Sequence, residues 1–323
     1  MTETVSMIRL LAYFIFFLPL LGSAQVTIQP KDALQSEKHT LKWQDRSRSY
    51  LLYTPPGVSN LDTLLVVFAI HGGGGTAKGL ERITKRRFNE LAYEQKFLLV
   101  YPNAVSKTWN SGRLEILKPR NKDVDDVGFL LAILEELKAE FNVDESKVFA
   151  TGISNGGFMT NRLLCERPDV FKAGAVVTAS MAEDFMADCN PDQPVSLMVI
   201  NGLDDPLVPY NGGDIRLFKK GKSRGRVIST DDYIKFWMEQ NNCDVSTRKD
   251  SLINTIKDDG TRVLRASYGG CDAEEEVVLI SIEGGGHTWP GGRQYLGERW
   301  IGKTSREIVA CDVIWEFFME VSD

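Results

Sequence analysis

Lys147-Val148-Phe149-Ala150-Thr151-Gly152-Ile153-Ser154-Asn155-Gly156-Gly157-Phe158 is the stretch on which the fold turns. A strand-like run leads into Gly-x-Ser-x-Gly, and a helix-like run follows over residues 158–166. Small residues around Ser154 permit the sharp strand-to-helix turn that exposes a serine hydroxyl on a strained backbone. The pentapeptide alone is a weak signal; its place between a strand and a helix gives it weight. Of the three histidines, His39, His71 and His287, only His287 follows Ser154. It lies in Gly284-Gly285-Gly286-His287-Thr288-Trp289-Pro290, after a strand-like run at 276–280. Between serine and histidine, Asn201-Gly202-Leu203-Asp204-Asp205-Pro206 offers an acid just past another such run at 196–200. Nucleophile, acid and histidine in that order point to a serine hydrolase.

The chemistry assigns each residue a task. An alcohol attacks slowly at neutral pH unless a base takes its proton, and His287 is the candidate base. A buried carboxylate must hold the imidazole in one tautomer. Asp205 fits the Gly-x-x-Asp-x-x-Val spacing with Gly202 and Val208, so it is preferred to Asp204, which reads as a turn carboxylate. The tetrahedral oxyanion needs preorganised N–H donors. One is expected from Asn155 and the second from Gly73 or Gly74, within His71-Gly72-Gly73-Gly74-Gly75-Thr76. That loop lacks the G-x-x-x-x-G-K-[ST] spacing of a nucleotide cradle, and His71 is expected to orient it. Trp109-Asn110 and Trp289 follow strand ends and are expected to line the substrate site, against core packing as the ordinary use of tryptophan. Asp125 and Asp126 read as the N-terminal carboxylates of a helix. No ligand spacing suggests zinc or calcium, so no metal or cofactor is expected.

Working outward, continuous apolar runs at 63–70, 97–101, 173–177 and 196–200 alternate with helix-like segments at 86–95, 126–141, 231–240 and 305–320. Residues 46–53 alternate like an edge strand. The pattern is that of βαβ units: an α/β class with a mostly parallel sheet covered by helices on both faces. With 323 residues, 43% hydrophobic, the chain is long enough for a large core and is read as one catalytic domain over residues 25–323. A net charge of −6 argues against nucleic acid as a partner. Residues 1–24 read as an export signal: Arg9, an apolar run over 10–21, and Gly22-Ser23-Ala24 before Gln25. Twelve apolar residues are too few to span a bilayer, so a secreted or periplasmic protein without a stable membrane anchor is expected. Export permits disulfides. Cys165 with Cys189 and Cys243 with Cys271 each flank one segment and are paired on that basis, leaving Cys311 as a buried thiol on a C-terminal helix. The basic run at 216–226 reads as a solvated loop or as the border of a site for anionic substrates.

Six motifs together resemble the secreted polyhydroxybutyrate depolymerase / feruloyl esterase family of α/β-hydrolases. They are His71-Gly72-Gly73-Gly74-Gly75, Thr108-Trp109-Asn110, Asp125-Asp126-Val127, Gly152-x-Ser154-Asn155-Gly156-Gly157, Asp205-Pro206-x-Val208-Pro209-Tyr210 and Gly286-His287-Thr288-Trp289-Pro290-Gly291-Gly292. The resemblance covers about residues 45–320 and departs at Asn201, where many relatives carry histidine. It implies the α/β-hydrolase fold, a carboxylic-ester hydrolase with Ser154, Asp205 and His287 as its triad, and the Cys165–Cys189 bridge. The expected substrates are feruloyl, other hydroxycinnamoyl or acetyl esters, soluble or polysaccharide-linked; the alternative is a short-chain polyhydroxyalkanoate. A serine peptidase and a non-catalytic adhesion module of the same fold are the readings from other classes.

Overall fold

The computed structural model describes residues 31–59, 61–113, 123–217 and 221–322. The expected export signal, with its cleavage site, lies outside the described residues. So do Lys219 and Lys220 of the basic run.

Among the described residues, twelve strands and seven α-helices follow one another. They are β1 (Glu37–Trp43), β2 (Arg46–Tyr53), β3 (Leu64–Ile70), α1 (Ala77–Ile83), α2 (Arg87–Gln95), β4 (Leu98–Pro102), α3 (Asp126–Glu140), β5 (Val143–Ile153), α4 (Asn155–Glu166), β6 (Ala173–Val177) and β7 (Ser196–Gly202). There follow β8 (Gly213–Asp214), β9 (Arg226–Val227), α5 (Thr230–Gln240), β10 (Lys249–Ile253), β11 (Arg262–Tyr268), β12 (Val277–Glu283), α6 (Glu298–Ile301) and α7 (Ala310–Glu320). Ten strands form one sheet in the order β1-β2-β4-β3-β5-β6-β7-β12-β11-β10, and β8 with β9 makes a separate ribbon. From β4 to β12 every neighbouring pair is parallel; the two strands beyond each end are antiparallel. This is the mostly parallel α/β sheet expected.

The apolar runs explain the centre. β3, β4, β6 and β7 are buried along almost their whole length, because helices cover both faces. On one face Phe129 and Leu130 of α3, Phe158 and Leu163 of α4 and Tyr233 and Trp237 of α5 pack together. On the other, Leu80 of α1, Phe88 of α2 and Ile314 and Phe318 of α7 do so. Seven elements escaped the sequence reading: β1, β8, β9, β10, β11, α1 and α6. β1 buries one side chain of seven, Leu41; β10 buries none fully. β11 carries Arg262 and Arg265 among its apolar residues, and α1 is only seven residues, started by the Thr76 side chain accepting from Gly79 N at 3.0 Å.

Cys165–Cys189 and Cys243–Cys271 are bridged, and Cys311 is a buried free thiol. Asn201 uses its amide fully: Nδ2 donates to Ala179 O and Thr230 Oγ1, while Oδ1 accepts from Ala179 N. The departure from the family pattern therefore still ties the end of β7 to the start of α5. Among the described residues no helix is long and apolar enough to cross a membrane.

Candidate active site

β5 ends one residue before Ser154, which is the N-cap of α4 with φ 55° and ψ −122°. A side chain at positive φ is strained and persists only where its surroundings fix it. Here they do: Ser154 N donates to Val177 O at 2.9 Å, and glycines admit the neighbouring chain. A Cβ on Gly152 would sit 2.3 Å from Gly156 O, and one on Gly156 would sit 2.1 Å from Ile70 O. The elbow closes only with glycine there.

Asp205 follows β7 and His287 follows β12, its parallel neighbour in the sheet. Asp205 Oδ2 lies 2.7 Å from His287 Nδ1, and both side chains are almost fully buried. The other oxygen, Oδ1, accepts from Leu207 N at 2.7 Å and Val208 N at 2.9 Å. A carboxylate can only accept, so Nδ1 carries the proton and Nε2 is left with its lone pair. Asp204 is exposed and has no part in this pair. Ser154 and His287 line one cleft of about 370 Å³, without a hydrogen bond between Oγ and the ring among the described contacts. Such contacts commonly tighten only once substrate is bound.

The glycine loop lines the same cleft. Its geometry separates the two donors that the sequence left open. Gly74 N donates to Lys107 O at 2.7 Å, so it has no proton to offer an oxyanion. Gly73 is exposed beside Asn155, and its N–H has no partner among the described residues. Asn155 opens α4, where the first N–H groups lack intrahelical acceptors. Among the candidate donors, Gly73 and Asn155 keep N–H groups without a partner among the described residues, whereas the Gly74 N–H is already engaged, which counts against Gly74.

His71 holds this loop. Its Nε2 accepts from Ala104 N at 3.1 Å, so Nδ1 carries the hydrogen and donates to Gly72 O at 2.7 Å. Burial pushes its pKa down to about 4, so the neutral form that makes both bonds persists at neutral pH. Unfolding restores a value near 6.5, and the unfolded chain then binds a proton that the folded one refuses. His71 therefore contributes stability that is complete above about pH 6.5 and is lost as pH falls toward 4. The expected loss is about 3 kcal/mol over that window. Urea midpoints measured from pH 7 to 4.5 should fall more steeply for wild type than for His71→Gln; equal slopes would count against this account.

The three other expected substrate contacts lie elsewhere. Trp109 is fully buried: its indole N–H donates to His71 O at 2.8 Å and its backbone N–H to Asn155 Oδ1 at 2.8 Å. Asn110 donates to Asp126 Oδ2 and Val124 O, and Arg162 donates to its carbonyl. Trp289 is fully buried against Phe88. None of the three lines the cleft, which corrects the expectation. The walls are Leu80 and Ile83 of α1, Leu207, Leu217, Tyr295, Leu296 and Ile301. A position after a strand end locates a residue on the right edge of the sheet but does not set which way its side chain turns. At the start of α3, Asp125 accepts from Gly128 N as a cap, whereas Asp126 is a buried partner of Arg48 at 2.6 Å.

The basic run brings Leu217 to the cleft, while its Arg216 and Arg226 pair with Asp214 and Glu183. A larger groove of about 830 Å³ between α5 and β10–β12 contains none of Ser154, Asp205 and His287. Among the described residues no group of three or more His, Cys, Asp or Glu is placed to hold a metal ion.

Comparison with known proteins bears on this geometry. Over 282 residues the chain is 31% identical to a protein named "putative esterase NocK" from Nocardia uniformis, covering 85% of this chain and 80% of that one. It is 25% identical over 280 residues to feruloyl esterase C of Emericella nidulans, covering 85% of each. An acetyl xylan esterase structure from Aspergillus awamori superposes with TM-score 0.54 at 15% identity, over 88% of this chain and 99% of that one, a likeness of fold. The model of the prolyl oligopeptidase family matches residues 114–188, around Ser154.

Proposed function

Because this chain belongs to the esterase family of α/β-hydrolases that includes NocK and feruloyl esterase C, and is a carboxylic-ester hydrolase, we propose that it works through a serine acyl-enzyme on hydroxycinnamoyl or acetyl esters. His287 Nε2 accepts the Ser154 proton as Oγ bonds to the ester carbonyl carbon. The oxygen that gains the electron pair takes N–H bonds from Gly73 and Asn155. Collapse expels the alcohol oxygen, which leaves with the proton from His287. Water then repeats the sequence and releases the acid.

The observation that carries the substrate reading is the cleft itself. One face of Ser154 looks into a space whose described walls are aliphatic side chains, glycines, one tyrosine and the rings of His71 and His287, with no lysine, arginine or carboxylate among the described residues. It suits a flat aromatic or short acyl group and offers nothing to the ammonium of a peptide. The match to the prolyl oligopeptidase family leaves out Asp205 and His287, so it supports the strand–serine–helix unit rather than peptide cleavage. Leu217 and Leu296 border the cleft and are 40% and 53% exposed. That exposed apolar edge favours a second reading, docking on a short-chain polyester. We read it as a single-domain enzyme acting on polysaccharide-linked esters; the two disulfides and the signal-like residues 1–24 support its export.

Relative kcat/KM across acetyl, butyryl, feruloyl and palmitoyl esters tests the reading. A maximum at feruloyl or acetyl is expected; one at butyryl selects the polyester, and one at palmitoyl overturns both. Leu296→Ala should lower kcat/KM for feruloyl esters about fivefold more than for acetyl esters, since about 1 kcal/mol of wall contact is lost to the larger group alone.

A further inference from the structure

We infer that Tyr295 is a positioning residue for His287, fixing the histidine's main chain while it walls the acyl cleft. The inference rests on His287 being the base. Three glycines precede that histidine, and Gly284 has φ +71°. Glycine is demanded there by close approach: a Cβ on Gly286 would sit 2.2 Å from Ile301 O. The same glycines leave the histidine on the most pliable backbone a chain can have.

One segment takes that freedom away. Residues 291–305 leave the histidine loop, turn through α6 and return beside it. Gly291 N donates to Ser305 O, Gly286 N to Lys303 O at 2.9 Å, and His287 N to Ile301 O at 2.6 Å. The Gln294 side chain closes the segment on itself by donating to Leu296 O and Gly302 O and accepting from Thr304 N. Tyr295 supplies the last hold: its hydroxyl donates to His287 O at 2.8 Å. His287 is thus gripped at its N–H by Ile301, at its carbonyl by Tyr295 and at Nδ1 by Asp205. Among the described residues only Nε2 is left without a partner. Burial first, and the Asp205 charge second, push the Tyr295 pKa up, so the hydroxyl stays a donor across the working pH range. Tyr295 and Ile301 both line the cleft, so the segment that touches the acyl group also sets the base.

Tyr295→Phe keeps the ring as a wall and removes only the hydroxyl. It should lower kcat about tenfold, short of the ~10²-fold that a 1 Å misplacement costs, with KM within about twofold of wild type. Tyr295→Leu should show the same fall in kcat and a KM several-fold higher. Both are measured well below their melting temperatures, with stopped-flow acylation by p-nitrophenyl acetate as the direct readout of the attack step. A lowered melting temperature with unchanged kcat and acylation rate would mean a merely structural bond and overturn the inference, as would a loss carried by KM alone. Ser154→Ala run in parallel separates the two levels. If it stays active, the serine mechanism fails; if it is dead while Tyr295→Phe is as fast as wild type, only the role of Tyr295 fails.

Discussion

Ser154→Ala should lower ester turnover by about 10⁴-fold or more while the protein keeps its fold. The change removes one oxygen from a half-buried side chain whose backbone is fixed by Val177 and by the glycines of the elbow. His287→Ala should cost about as much, and the double variant scarcely more, because neither group completes a step without the other. Losses that multiply would mean that the two act separately. Stability supplies a second arm. At φ 55° and ψ −122° alanine is as strained as serine, but glycine is not. Ser154→Gly should therefore be as inactive as the alanine variant and more stable, by about 1 kcal/mol. Denaturation midpoints and turnover with a chromogenic acetate decide both points.

Asp205→Asn is expected to cost nearly as much, about 10⁴-fold in kcat, for a different reason. Oδ1 is held by the Leu207 and Val208 N–H groups, so the amide oxygen of asparagine takes that place. Its NH₂ then faces His287 Nδ1, where a carboxylate oxygen had accepted a proton. The imidazole must present a lone pair there, which moves its hydrogen to Nε2 and leaves no base facing Ser154. Asp204→Asn, on an exposed side chain, should stay within about twofold of wild type. Reversal of that ranking in steady-state kinetics would remove Asp205 from the mechanism.

What could be read from sequence followed steric demand. The elbow was legible because only glycine tolerates the contacts on either side of Ser154, and His287 because no other histidine follows it. The buried strands were legible because two covered faces leave no room for polar residues. β1 and β10 were not, since a strand at the sheet's rim has little to bury and its alternation is lost. The choice between Gly73 and Gly74 lay beyond composition, because it depends on where the Lys107 carbonyl points. Trp109 and Trp289 were assigned to the right edge of the sheet and the wrong side of it. Their rings turn inward, under the glycine loop and against α2, and do scaffolding work. The signals that could have marked Leu296 and Tyr295 are faint: one exposed leucine and one tyrosine in a glycine-rich excursion.

The Asp205–His287 bond joins residues 82 apart in sequence, and Ser154 reaches the cleft from a third strand. Contacts of such long range form late in folding, since each must first bear the entropy of closing its loop. A chain that has paired β3, β5 and β6 already owns its serine, but it has neither acid nor base until β7 and β12 lie side by side. If Ser154, Asp205 and His287 are the triad, chains in which β7 and β12 have not yet paired should be inert toward esters. The return of activity on refolding should then report the pairing of β7 with β12, so the enzyme's own turnover would serve as a clock for that step.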